Sequence, residues 1–142
     1  MIFVLDDSDV RINWFQKEWL KHRVDYAKTA QEAIEKLRNT KTQYEMIFLD
    51  HDLADVHYDI PAHEIHSKEG VDGWELTGHW VAKIMAKENL HTDTPVFINT
   101  CNPDGAIAMA DQLKSTHKEI KVMPFWKLVE IFAAGRLDKS EN

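Results

Sequence analysis

The stretch Met46-Ile47-Phe48-Leu49-Asp50-His51-Asp52-Leu53 decides how the chain is read. Four apolar residues run without interruption into two carboxylates that flank a histidine. A short unbroken apolar run suits a strand buried on both faces, as in a parallel sheet covered by helices on each side, so the acids stand where the strand surfaces. The chain opens on the same pattern, with Ile2-Phe3-Val4-Leu5 running into Asp6-Asp7. If the two strands are neighbours, four carboxylates meet at one edge of the sheet. Like charges that close raise each other's pKa unless a positive group sits among them, and hard oxygen ligands suit Mg2+ or a similar cation. The plainer reading is that Asp7, Ser8 or Asp9 caps the following helix, and that Asp50 and Asp52 are turn formers. Capping explains one acidic strand end as readily as function does. Two such ends favour a metal site on Asp6, Asp7, Asp50 and Asp52.

Of the 142 residues 44% are hydrophobic, with five Trp and six Phe, which is enough for the core of one ordinary domain and too many for a disordered chain. No apolar run approaches the length of a bilayer span, so no membrane partner is expected. Neither a basic leader nor a small-residue cleavage site precedes the first strand, which predicts no secretory signal. The single Cys101 excludes an internal disulfide framework and fits a reducing, cytoplasmic location. A net charge of -7 disfavours binding along an extended nucleic-acid backbone, which needs clustered Lys and Arg to displace counterions.

Over residues 8–22, Val10 and Trp14 are four apart, and Ile12, Phe15 and Trp19 follow at three and four. That is the spacing of an amphipathic helix with Lys17, Glu18 and Lys21 toward solvent. Its aromatic stripe reads as core in preference to a base-stacking platform. Residues 23–27 form a short strand. Thr29 and Glu32 then make a capping box, in which hydroxyl and carboxylate satisfy orphan amides at a helix start, and the helix runs to about Arg38 on Ala33, Ile34 and Leu37. After the strand at 46–50, residues 51–72 have neither helical nor strand period but carry Asp55, His57, Asp59, His63, Glu64 and His66. Connections in compact α/β units are usually about two to six residues, so this insert is read as a functional lid. His63 and His66 have the spacing to share a zinc on a helix. With no Cys and no second ligand pair, they are read as solvated loop histidines.

Residues 73–89 are the strongest helix, with Leu76, Trp80, Val81, Ile84 and Met85 on one broad face. Residues 95–98 repeat the buried apolar run and end in Asn99-Thr100-Cys101-Asn102-Pro103. Asn102 before Pro103 is an N-cap with proline at the first helical position, opening a helix to about residue 116 through Ile107, Met109, Ala110 and Leu113. Capping leaves Asn99 and Thr100 without an explanation. Cys101 reads as a small buried residue in preference to a reactive thiol. Residues 120–123 give a last strand, and Pro124 leads into a closing helix on Leu128, Val129, Ile131 and Phe132 that stops near Gly135. A frayed tail follows from Lys139. With no internal repeat or linker, a single domain over residues 1–142 is expected.

Five strands alternating with five helices predict a doubly wound parallel α/β sheet, and right-handed crossovers leave few topologies. In the flavodoxin-like order 2-1-3-4-5, ligands sit at the carboxyl ends of strands one and three, the ends that carry Asp6-Asp7 and Asp50-His51-Asp52. Asn99 and Thr100, at the end of strand four, would border the same crevice. Carboxylates that hold a cation, opposite hydroxyl and amide donors, suit a phosphoryl group.

Asp6-Asp7-Ser8 with Arg11, an Asp ending the third strand, Thr100 after the fourth, and Pro124-Phe125 after the fifth resemble the receiver domain of bacterial response regulators over essentially the whole chain. That resemblance implies Asp50 as phosphoacceptor, Asp6 and Asp7 as holders of Mg2+, and the Thr100 hydroxyl as a contact to the phosphoryl oxygen. It departs at Met123, where receivers carry a lysine. The sequence more closely resembles the cyclic-phosphate processing receivers. Asp50-His51-Asp52-Leu53 matches that family unchanged, and Asn102, Pro103, Gly105 and Met109 fall in matching places. Asn99 stands for the family's histidine, and Thr100 for its serine.

This second resemblance implies metal-assisted processing of a cyclic phosphate, with Mg2+ or Mn2+ as cofactor and a phosphate-bearing small molecule or nucleotide end as partner. Asp6, Asp7 and Asp50 would hold the cation with Asp52 beside them, and Thr100 and Asn102 the phosphoryl oxygens. With the family's histidine replaced, His51 or a lid histidine such as His66 would move the proton. Two readings of other classes stand beside it. One is a stand-alone phosphoacceptor on Asp50 that docks a protein partner through the last strand and helix; the other is a non-catalytic binding scaffold.

Overall fold

The computed structural model describes residues 1–19, 23–53 and 77–133. Its elements are β1 (Ile2–Leu5), α1 (Asp9–Glu18), β2 (Val24–Ala27), α2 (Ala30–Leu37), β3 (Met46–Leu49), α3 (Gly78–Lys87), β4 (Val96–Ile98), α4 (Pro103–Leu113), β5 (Ile120–Val122) and α5 (Phe125–Ala133). The strands pair in parallel in the order β2-β1-β3-β4-β5, the flavodoxin-like arrangement read from the sequence. Most of the 51–72 insert lies outside the described residues, with His57, His63 and His66, and so does the tail. Among the described residues no helix is long and apolar enough to cross a membrane.

Alternation along the strands sorts the core into two layers. Phe3, Leu5, Ile47, Leu49, Val96 and Ile98 face one side, under α2, α3 and α4. Ile2, Val4, Phe48 and Phe97 face the other, where Phe15 and Trp19 at α1 and Leu128 and Phe132 of α5 cover them. Each central strand is therefore apolar at every position, which is why no period of two showed in its sequence. Phe48 stacks on Phe97 at 4.9 Å between ring centroids, and Trp14 of α1 stacks on Phe132 of α5 at 5.1 Å.

Several expectations are corrected. Val10 is 78% exposed and Ile107 60% exposed, so neither belongs to the core face assigned to it. At about 100° per residue, Val10 lies roughly 180° around α1 from Trp19, and Ile107 about 160° around α4 from Met109. Helix α1 closes at Glu18 instead of running to residue 22, because Trp19 leaves helical geometry as the C-cap and buries its indole against Phe48 and Phe132. Helix α3 starts at Gly78 with extended Thr77 as its N-cap, and residues 73–76 of the expected helix, Leu76 among them, lie outside the described residues. The capping box before α2 is present in a shifted form. The Glu32 amide donates to the Thr29 hydroxyl at 3.1 Å, while the Glu32 carboxylate accepts from the amide of Lys28.

Candidate functional site

Strand register builds the site. Leu5, Leu49, Ile98 and Val122 are successive partners across β1, β3, β4 and β5. The residue after each therefore lies in a row along the carboxyl edge: Asp6, Asp50, Asn99 and Met123. One further rung of amide-to-carbonyl bonds ties them there, from Asp50 to Leu5 at 3.0 Å, Asn99 to Leu49 at 2.8 Å and Met123 to Ile98 at 2.8 Å. The order of the sheet reverses between β1 and β3, with crossovers on opposite faces, and opens a crevice at that edge.

Three carboxylates meet in it. Asp6, Asp7 and Asp50 each offer an oxygen within 4.8 Å of the others; Asp6 and Asp50 are buried and Asp7 is partly so. Arg11, from the first turn of α1, sits among them. Its Nε and Nη2 donate to the two oxygens of Asp6 at 2.7 and 2.8 Å, and Nη2 lies 3.6 Å from oxygens of both Asp7 and Asp50. The turn that aims this arginine is fixed by the acid it grips. Asp6 Oδ1 accepts the Ser8 amide at 2.9 Å, and the Ser8 hydroxyl accepts the Arg11 amide at 3.3 Å to cap α1. One guanidinium is not enough for the cluster. Burial, then Asp6, pushes Asp50 up to about 7, with Asp7 adding to the rise and Arg11 and the His51 amide opposing it.

Asp7, Arg11, Asp50, Asp52, Asn99, Thr100, Cys101 and Phe125 line a cleft of about 260 Å³. Thr100 is buried, and its hydroxyl oxygen accepts the Asn102 amide at 3.0 Å; among the described residues the hydroxyl proton has no acceptor. Asn99 lines the cleft, and its side-chain amide donates to the carbonyl of Met123 at 2.8 Å, tying the end of β4 to that of β5. Cys101, expected to be buried, is exposed. It belongs to the turn after β4, one residue beyond the point where the sheet stops covering the chain.

Other sequence-predicted residues are set back from the three acids. Asp52 lines the cleft but is not one of the clustered carboxylates; its Oδ1 accepts from Nδ1 of His51 at 2.9 Å. The His51 ring lies against Gly105 of α4, where an added Cβ would come within 2.8 Å of it. Asn102 uses its side-chain oxygen to cap α4 through the Gly105 amide at 3.0 Å and does not line the cleft. Two neighbours went unassigned in the sequence. Arg11 entered only as part of a motif, and its four-residue spacing from Asp7 was the available signal. His79, in the first turn of α3, has its pKa lowered by burial and by His51; nothing in its local sequence marks it.

The fold is shared with known receiver domains. Solved structures of similar fold include the receiver domain of the Francisella response regulator 1452, at 19% identity over 94% of this chain and 92% of that one, with a TM-score of 0.57. The receiver domain of NtrX from Brucella abortus matches at 20% identity over 96% of both chains, with a TM-score of 0.56. The response regulator TrrA from Thermotoga maritima, solved in complex with Mg2+-BeF, matches at 18% identity over 96% of this chain and 97% of that one, with a TM-score of 0.54. No curated protein sequence matches the chain. The family model of the cyclic-phosphate processing receiver domain matches residues 1–115, which take in both acidic strand ends, the Asp-His-Asp segment and the turn after β4. The chain belongs to the cyclic-phosphate processing receiver domain family.

Proposed function

We propose that the cleft holds a divalent cation, Mg2+ or Mn2+, on Asp6, Asp7 and Asp50 with Asp52 at its rim, and that the chain uses it to hydrolyse a cyclic phosphate on a nucleotide or RNA end. The observation that carries this reading is the meeting of three carboxylates from two strand ends within 4.8 Å. The donor set fits such an ion: it is all oxygen, closely spaced, and more negative than Arg11 offsets, as the raised pKa of Asp50 reflects. Support of a second kind comes from a receiver of this fold solved with Mg2+-BeF and from the activity for which the family is named. When bound, the cation polarises a phosphoryl oxygen and offsets its charge.

The chain's own groups do the rest. Thr100 donates its hydroxyl to a phosphoryl oxygen, and Asn102 holds the turn that carries Thr100 by capping α4. Opening a cyclic phosphate adds water to phosphorus and breaks one bond from phosphorus to a ribose oxygen. The water loses a proton and the ribose oxygen gains one. His51 is the group for that exchange, since Asp52 accepts a hydrogen bond from its Nδ1–H and so favours the tautomer whose other ring nitrogen carries the free lone pair. With Mn2+ or Mg2+ the protein is expected to open 2',3'-cyclic nucleotides to monoesters, and Asp50→Asn to lose about a hundredfold or more of that rate. Unchanged turnover in the variant would overturn the assignment.

A second reading rests on Asp50 itself lining the cleft, where its carboxylate can accept a phosphoryl group. A protein partner would then read the state of the cleft at β5 and α5, where Val122 and Trp126 are exposed. Against it stands Met123, which brings no charge to the lysine position. Acetyl phosphate with Mg2+ separates the two. A phosphoryl mass gain on Asp50 identifies an acceptor, and cyclic nucleotide turnover without it identifies a hydrolase. Neither result leaves a binding scaffold.

A further inference from the structure

The proposed reading leaves a gap in charge. A phosphate entering the cleft meets Asp7, Asp50 and Asp52 on its walls, and Met123 supplies no cation from the end of β5. Among the described residues, the one basic side chain that lines the cleft is Arg11. We infer that Arg11, held in place by Asp6, is the phosphate-binding cation of this cleft and that it shares the charge of Asp7 and Asp50 with the bound metal. The inference rests on the metal-dependent reading and extends it to a residue that reading does not use.

Three features of the geometry carry it. The guanidinium is anchored by its Nε–Nη2 edge to both oxygens of Asp6, so its plane is fixed before any ligand arrives. Among the described residues Nη1 makes no hydrogen bond, which leaves two N–H donors on a side chain that is 36% exposed at the cleft wall. A planar, permanently charged group held in this way is suited to phosphate oxygens. The 3.6 Å separations from Asp7 and Asp50 are the third feature. They are too long for hydrogen bonds, so Nη2 acts on these two acids by charge and not by a directed bond. The same charge opposes the metal that those acids attract. Arg11 therefore has opposite effects on the two ligands, weakening the metal and holding the phosphate.

The test uses the whole chain, with Arg11→Gln and Arg11→Lys, in two calorimetric titrations: Mn2+ into the metal-free protein, then inorganic phosphate into the Mn2+-loaded protein. Arg11→Gln is expected to bind Mn2+ several-fold more tightly and phosphate about 10- to 100-fold more weakly, the scale of one or two charged hydrogen bonds. Arg11→Lys keeps the charge but loses the fork, so its Mn2+ affinity should stay near the wild-type value while phosphate weakens about tenfold. If Arg11→Gln does not fold with Asp6 left unpaired, Arg11→Lys decides alone. Wild-type phosphate affinity in the folded variants overturns the inference. So does a parallel loss of both ligands, which is the mark of an arginine that only shapes the loop. A wild-type protein that binds no Mn2+ overturns the metal reading itself, whereas one that binds Mn2+, with variants that keep wild-type phosphate affinity, overturns this inference alone.

Discussion

Asp50 carries the energetic cost of the site. Burial and two neighbouring acids push its pKa from 3.8 up to about 7, so in the folded, metal-free protein it holds a proton that the unfolded chain has given up. The sign follows from linkage. With more protons bound in the folded state, the contribution to stability is fully present below the unfolded pKa and is lost as pH rises through the window from 3.8 to about 7. The loss is on the order of 2–4 kcal/mol. His79 and His117 pull the other way. Burial lowers both, so their contribution falls as pH drops through 6.5. The wild-type profile mixes these effects, and the informative quantity is the difference from Asp50→Asn, a neutral side chain of the same shape. Without metal, the variant is expected to match the wild type near pH 4 and exceed it above about pH 7 by roughly 2 kcal/mol or more. Urea midpoints across that range measure it, and parallel profiles would show that Asp50 is ionised throughout. Unlike the acids, the role of Arg11 was hard to see in the sequence: a basic residue in a helix's first turn reads as solvated until the Ser8 cap shows where it points.

Two elements meet closely where α3 lands on the end of β3. The Gly78 amide donates to the His51 carbonyl at 2.9 Å, and a Cβ at Gly78 would lie 1.9 Å from the carbonyl oxygen of Asp50. That neighbour is backbone and cannot rotate aside. Gly78→Ala is expected to cost about 3 kcal/mol or more and to weaken cation binding, because the helix start must move off the residue that anchors the site. Gly105→Ala makes an instructive contrast. Its Cβ would meet the ring of His51 at 2.8 Å, and a side chain can turn away. There the expected loss of stability is under about 1.5 kcal/mol, with the larger effect on turnover through His51. Denaturant midpoints and cyclic nucleotide turnover on both variants check the pair; equal losses of stability would mean that α3 is not seated as described. Neither close approach was legible, because both glycines fall inside segments read as helix, and local sequence does not show which neighbour a missing side chain makes room for. The apolar strands and their order were legible, since a run such as Met46-Ile47-Phe48-Leu49 has few homes outside a covered parallel sheet. Helix faces were less so. Val10 and Ile107 fitted a local period, but which flank meets the sheet depends on where α5 and β5 dock, and that is tertiary information.

At the scale of the molecule, the two apolar layers hold the edge that carries the acids. β1 and β3 are central strands clamped on both faces, so losing the arrangement of Asp6, Asp7 and Asp50 requires losing the core. A cation on this edge therefore acts on global unfolding. A ligand that binds only the folded state adds about 2.7 kcal/mol at a hundredfold excess over its Kd, which is roughly 5–15 °C in Tm for a domain of this size. Carboxylate ligands must lose their protons first, and metal-free Asp50 titrates at about 7. The gain from Mg2+ should therefore be about half its full size near pH 6 and approach its full size near pH 8, roughly a tenfold change in apparent affinity per pH unit below the pKa. A net charge of -7 would also let any salt raise Tm by screening, so the comparison is Mg2+ against NaCl at equal ionic strength. The expected outcome is an Mg2+-specific rise in Tm at pH 8, reversed by a chelator, about half as large at pH 6 and lost in Asp50→Asn at both. A rise that is indifferent to pH, or that survives in the variant, would place the ion elsewhere on the acidic surface and leave the raised Asp50 as strain without a ligand to relieve it.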